Sequence, residues 1–175
     1  MKRLLLLTTL LVVSFYGFSQ DVKYGVRGGL NISNLDFDGA LLIANKHRNS
    51  IYFGAFATIS LSKTISIMPE LQFSAEGAKE ETINLDYIQA PILFRFRLSE
   101  KIHFGLGPQV GLKVHKYEDG VKDFAYSGVA GIEYKLTHVL FADIRYTYGL
   151  SNVFDDTFGV EAKNTNIQIG VGYKF

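Results

Sequence analysis

The last twelve residues, 164–175, alternate polar or glycine with apolar and end on an aromatic. Thr165, Ile167, Ile169, Val171, Tyr173 and Phe175 fall on one face of an extended strand. Asn166, Gln168, Gly170, Gly172 and Lys174 fall on the other, because successive side chains of a strand point to opposite sides. Chain ends are ordinarily polar and loose, so a terminal segment this regular constrains what the chain can become. A strand with a greasy outside and a wet inside predicts the closing strand of a barrel whose outer wall meets lipid.

Seven further segments carry the same period of two. Residues 22–31 place Val22, Tyr24, Val26 and Leu30 against Lys23, Gly25, Arg27 and Gly29, and residues 51–61 put Ile51, Phe53, Ala55, Ala57, Ile59 and Leu61 outward. In 64–76, Ile65, Ile67, Leu71, Phe73 and Ala75 oppose Ser66, Glu70, Gln72, Ser74 and Glu76. In 85–98, Ile88, Ala90, Ile92, Phe94 and Phe96 oppose Gln89, Leu93, Arg95 and Arg97. The remaining three, 101–113, 123–135 and 138–150, read likewise, with His103, Lys113, Glu133, Asp143 and Arg145 inward. The count is eight strands, all antiparallel in an up-and-down transmembrane β-barrel. No Asp, Glu, Lys or Arg falls on an outward face, the reverse of a soluble barrel of this size, which is apolar within.

The connections alternate in length. Leu61-Ser62-Lys63-Thr64, Leu98-Ser99-Glu100-Lys101 and Leu136-Thr137-His138 are near-identical tight joints at regular spacing, an internal repeat of hairpin scale. The joints at 32–50, 77–84, 114–122 and 151–163 are longer. Short turns on one rim and long loops on the other is the outer-membrane pattern, with the short turns and both chain ends in the periplasm. A strand of about 13 residues rises roughly 43 Å, or about 33 Å along the axis when tilted near 40°, enough to clear an apolar band of about 25 Å.

At the other end, Lys2 and Arg3, the apolar run 4–13 and Gly17-Phe18-Ser19 form the three parts of a secretory signal, predicting a cleaved signal peptide over 1–19 and a barrel domain over 20–175. The apolar run is too short for a spanning helix, which needs about 20 residues. Removing Lys2 and Arg3 from 18 basic residues leaves 16 against 17 acidic ones, so no nucleic-acid-like basic excess survives. The absence of cysteine excludes a disulfide scaffold, a thiolate metal site and a lipidated cysteine anchor.

Pro69-Glu70-Leu71, Gly107-Pro108-Gln109, Asp86-Tyr87-Ile88 leading to Pro91, and the closing Gly170-Val171-Gly172-Tyr173-Lys174-Phe175 together resemble the PorT-like outer-membrane β-barrel family over nearly the whole mature chain. The resemblance implies an outer-membrane location in a Gram-negative envelope. Some members are tied to protein secretion or surface assembly. It carries no functional residue across, since the matching motifs are architectural.

The inward charges are the candidate site. Arg27, Glu70, Arg95, Arg97, Glu133, Asp143 and Arg145 would occupy a lumen wide enough only for side chains, either as an ion-paired plug or as a narrow ion-selective pore. Inward glycines on the first, fifth and last strands would make room for bulky Arg and Glu from across the lumen. Four histidines, His47, His103, His115 and His138, scatter over both rims, with no Ser or carboxylate at a common height, so neither catalysis, nor a cofactor, nor a metal centre is expected.

Pro69, Pro91 and Pro108 sit at similar height on neighbouring strands and predict bulges or missing ladder bonds. In loop 32–50, Asp38 could cap a helical turn over 40–44, offering either a binding surface or a lid over the mouth. Outward aromatics at strand ends suit interfacial girdles, and Tyr173 with Phe175 resembles the terminal signal read by barrel-insertion machinery. Two function classes follow: a structural or interaction barrel whose outer loops bind a protein or glycan, and a small-solute or ion channel.

Overall fold

In the computed structural model, described for residues 22–38, 47–77, 84–114, 122–154 and 161–175, the alternation becomes eight strands: β1 Val22–Asp38, β2 Arg48–Ser60, β3 Ile65–Gly77, β4 Asn84–Arg97, β5 Ile102–Lys113, β6 Phe124–Lys135, β7 Leu140–Gly149 and β8 Glu161–Lys174. Each pairs antiparallel with the next, and β8 pairs with β1, so the sheet closes and has no edge. Closure satisfies the backbone where lipid offers no partner. Residues 1–19, expected to be a signal peptide, and residues 40–44 lie outside the described residues.

The register fixes the shape. Val22 pairs with Ile59, and the partners run on through Ile67, Phe94, Leu106, Ala130, Tyr146 and Ile167 to Ile32, ten residues further along β1. A stagger of that size over eight strands tilts them by about 40° and sets a backbone radius of about 8 Å. Side chains fill such a lumen from wall to wall.

The repeated joints fold alike, and their chemistry explains the repeat. Ser62 Oγ accepts hydrogen bonds from the amides of Thr64 and Ile65 at 3.2 and 3.0 Å. Ser99 Oγ does the same for Lys101 and Ile102, and Thr137 Oγ1 for Val139 and Leu140. In all three, the leucine and the hydroxyl residue both donate their amides to one carbonyl, that of Ile65, Ile102 or Leu140. The hydroxyl residue takes up the turn amides that the ladder leaves unpaired.

Two expectations are corrected. First, β1 continues to Asp38 and β2 begins at Arg48, so Asp38 ends a strand where a helix cap was expected. The strands therefore outrun the apolar band at the long-loop rim, where Asp36, Asp86 and Lys163 occupy outward positions. Second, Thr165, placed outward by alternation, is buried, its hydroxyl donating to the Asn34 carbonyl at 3.3 Å.

The prolines interrupt pairing as expected, by missing ladder pairs and not by bulges. The β2–β3 ladder skips from Phe56–Glu70 to Ile59–Ile67 beside Pro69, β3–β4 from Pro69–Ile92 to Gln72–Gln89 beside Pro91, and β4–β5 from Pro91–Gln109 to Phe94–Leu106 beside Pro108. The register is the same on both sides of each gap, so no residue is inserted. A proline lacks the donor but adds no length.

Candidate functional site

Alternation points the even-numbered side chains of β2 and β3 and the odd-numbered ones of β1, β4, β5, β6 and β7 into the lumen. At mid-height the ion pairs form a closed ring. Arg27 Nη1 lies 2.9 Å from Glu70 Oε1, and Arg145 Nη1 2.8 Å from Glu70 Oε2. Asp143 Oδ2 closes the ring, 3.0 Å from Arg145 Nε and 2.9 Å from Arg27 Nη2. The two contacts to Asp143 Oδ2 are Coulombic, without aligned hydrogen bonds.

The ring is neutral, and polar neighbours complete it. Arg27 also donates to Gln72 and Gln168, and to the Tyr52 hydroxyl at 2.8 Å. All four charged residues are at most 6% exposed. Two cations and two anions in alternation let each carboxylate face two guanidiniums, which is how buried charges recover part of their desolvation cost.

Above the ring, toward the long-loop rim, lies an amide layer around Glu76. Its carboxylate accepts hydrogen bonds from Ser74 Oγ at 2.7 Å, Gln89 Nε2 at 2.8 Å, Asn166 Nδ2 at 3.0 Å and Asn164 Nδ2. All four are neutral donors, so here a buried carboxyl is satisfied by hydrogen bonds and not by a counter-charge. An apolar cap of Leu35, Leu85, Tyr87 and Val153 covers this layer.

Below the ring comes a second apolar layer, Phe56, Met68, Leu93 and Phe141, which Val129, paired with Thr147, joins from the level of the ring. Met68 precedes Glu70 by two residues on β3, and Phe141 precedes Asp143 by two on β7, so each is the next inward side chain toward the short turns. Phe56 and Phe141 meet edge to face at 5.7 Å. Glycines make this packing fit. A Cβ on Gly172 would strike the Phe141 ring, one on Gly25 the Phe56 ring, and one on Gly170 the Tyr52 hydroxyl. The guests are mainly aromatic, where Arg and Glu were expected; Gly131 makes way for Arg145, and Gly105 faces the Arg95 stem.

A separate cluster sits nearer the short-turn rim. Glu133 Oε1 is 2.7 Å from Arg95 Nη2 and 2.5 Å from Lys174 Nζ, with His103 Nδ1 at 4.0 Å. Lys174 also lies 4.4 Å over the Phe141 ring. The seven charges named from the sequence thus divide: Arg27, Glu70, Asp143 and Arg145 join the ring, and Arg95 and Glu133 join the rim cluster. Arg97 is exposed beyond both, because its position two residues past Arg95 carries it below the apolar layer into open water.

Sequence reading missed Tyr52, Phe56, Met68 and Phe141, although parity alone places them inward. It also missed the amide cradle of Glu76, whose members come from separate strands. His103 lies in the rim cluster, while His47 and His138 are exposed; His115 lies outside the described residues. Among the described residues no group of three His, Cys, Asp or Glu could hold a metal.

Comparison with known proteins agrees with this architecture. Solved structures of the same fold include Ail, the attachment invasion locus protein of Yersinia pestis, at 15% identity over 87% of this chain and 98% of that one, with a TM-score of 0.54. A second structure of Ail, in complex with the heparin analogue sucrose octasulfate, matches at 18% identity over 88% and 99%, with a TM-score of 0.53. Neisserial surface protein A matches at 12% identity over 87% and 97%, with a TM-score of 0.55. No curated protein sequence matches the chain. Residues 4–175 match the outer membrane protein beta-barrel domain, and with the closed barrel and its inside-out polarity this makes the chain a member of that family and a protein of the outer membrane.

Proposed function

We propose that this is a non-conducting, non-enzymatic barrel, a structural or interaction protein that acts through the segments at its long-loop rim, within the narrower PorT-like group and in secretion or surface assembly. The observation that carries this reading is the layered lumen. Apolar cap, amide layer, ion ring and apolar layer stack along the axis, each built from buried side chains of several strands, and the cavities among them are about 20 Å³ each. A pore would require the ring to part.

The partner class is a protein or a surface glycan met at the long-loop rim; one barrel of this fold, Ail, is known with a heparin analogue bound. On this reading the short turns and both termini face the periplasm. The purified protein in planar bilayers should show no conductance steps above the lipid background. Reproducible ion-selective steps would replace this reading with the narrow channel.

Tyr173 and Phe175 close the same reading. Their rings are 5.9 Å apart on the outer face, and the Phe175 amide donates to the Tyr24 carbonyl at 3.0 Å, tying the last residue to the first strand. We assign the pair to recognition by the barrel-insertion machinery. Deleting Phe175 should leave refolding in detergent nearly intact while sharply reducing insertion in cells. Equal cellular insertion of the deletion and the full chain would reduce the pair to an interfacial girdle.

A further inference from the structure

Under the apolar layer, the short-turn mouth opens into a cup of about 160 Å³. Its lining is one-sided in charge. Lys23, Lys63, Arg97 and Lys135 stand in the walls and Arg95 and Lys174 in the floor, and no carboxylate lines it. His103 and His138 add ring nitrogens, and Thr58, Ser60, Ser66 and Thr64 add hydroxyls. The acidic groups nearby do not change the balance: Glu133 lies beneath the floor, already shared by Arg95 and Lys174, and Glu100, in the turn 98–101, is not part of the lining.

The cup is also blind. Phe141 belongs both to its floor and to the apolar layer above, and beyond Arg95 and His103 only a cavity of about 20 Å³, room for a single water, reaches toward Asp143 and Arg145, so a larger solute that enters from the short-turn side stops there. A transit route would not end in this way. A dead end with excess positive charge, floored by a guanidinium only 5% exposed, has the properties of a binding site for a compact anion.

We infer that the short-turn mouth is an oxyanion-binding cup, taking a phosphate or pyrophosphate group between the Arg97 and Lys135 walls and the Arg95–Lys174 floor. Arginine supplies a planar fork for two oxygens and lysine a point charge, a combination suited to a tetrahedral oxyanion. The volume admits such a group with some of its water. Phosphate at this position has two sources, a free solute and a lipid headgroup, which present the same chemistry to the cup.

The test uses the full mature barrel, refolded in zwitterionic detergent at low ionic strength, with inorganic pyrophosphate titrated by calorimetry. The R97Q/K135Q double variant removes two wall charges, one exposed and one half-buried, and K163Q removes one from the opposite rim, where Lys163 lies over the Tyr148 ring. Saturable binding should weaken about tenfold or more in the double variant, the loss expected for one or two charge-assisted hydrogen bonds, and stay unchanged in K163Q. Circular dichroism verifies folding, and single R97Q serves if the double variant does not refold.

A second arm places the same proteins in nanodiscs with and without phosphatidic acid. If phosphatidic acid lowers the apparent pyrophosphate affinity in wild type and not in R97Q/K135Q, the occupant is a headgroup. If it has no effect while pyrophosphate still binds, the occupant is a free solute. Absence of saturable binding by wild type, or equal weakening by K163Q and R97Q/K135Q, overturns the proposal.

Discussion

The ring at mid-height and the cluster at the short-turn mouth use the same residue types, yet they are built on opposite terms. In the ring, Arg27, Arg145, Glu70 and Asp143 alternate in sign and are buried, with only a water-sized cavity between Asp143, Arg145 and the mouth cluster. At the mouth, Glu133 serves both Arg95 and Lys174, and more cations crowd the open side. A closed, neutral circuit leaves nothing over for a ligand, and its role is to fill the barrel. An open cluster with surplus charge can engage something that arrives from outside. The difference teaches that position along the barrel axis, and not residue type, separates scaffold from site here.

The largest expected effect tests the buried side. Glu70→Ala leaves Arg27 and Arg145 facing each other across a cavity with only Asp143 between them, and should destabilise the barrel by about 3–5 kcal/mol, as breaking a buried ion pair does. Glu133→Ala should lose less, about 1–3 kcal/mol, because Lys174 can turn toward the water of the cup. Urea unfolding of both variants in the same detergent measures the difference. Equal losses would mean that the mouth is as buried as the ring.

Much of this contrast could not be read from the chain. Alternation placed the charged side chains on the inner face, because parity depends only on strand conformation. It could not place them at heights, since height depends on the ten-residue stagger, a property of pairs of strands. That is why Arg97, grouped from the sequence with the other lumen charges, stands instead in open water. The Ser62, Ser99 and Thr137 turns were legible because their hydrogen bonds are local. The cradle of Glu76 was not, because Asn164 and Asn166 are about ninety residues away in sequence and reach it only through barrel closure.

A smaller effect concerns the packing that holds the ring in place. Gly170 faces the Tyr52 hydroxyl, and Tyr52 in turn receives a hydrogen bond from Arg27. Gly170→Ala pushes a methyl group against that hydroxyl and against the Gly28 carbonyl, so the ring must shift as one unit. The expected loss is about 1–3 kcal/mol, typical of overpacking. Gly128→Ala, with open space where its Cβ would stand, is the matched control and should be nearly silent. Similar losses at the two glycines would show that barrel curvature, and not the slot for Tyr52, sets the need for glycine.

The smallest effect is the most discriminating. Arg97 lies on the inner face by parity, as Arg95 does, so a reading based on faces alone expects the two to matter equally. Its height says otherwise: the apolar layer of Met68, Leu93 and Phe141 separates it from the ring, and its guanidinium is exposed at the mouth. An exposed arginine outside any network contributes little to stability, so Arg97→Gln should move the unfolding free energy by no more than about 0.5 kcal/mol. Salt offers an independent check, because screening acts on exposed charges and much less on buried ones. Whatever small change Arg97→Gln produces should vanish between about 10 mM and 1 M salt, where the Debye length falls from about 30 to 3 Å, while the loss in Glu70→Ala should persist. A salt-resistant loss of several kcal/mol at Arg97 would join the mouth to the ring and erase the distinction between them.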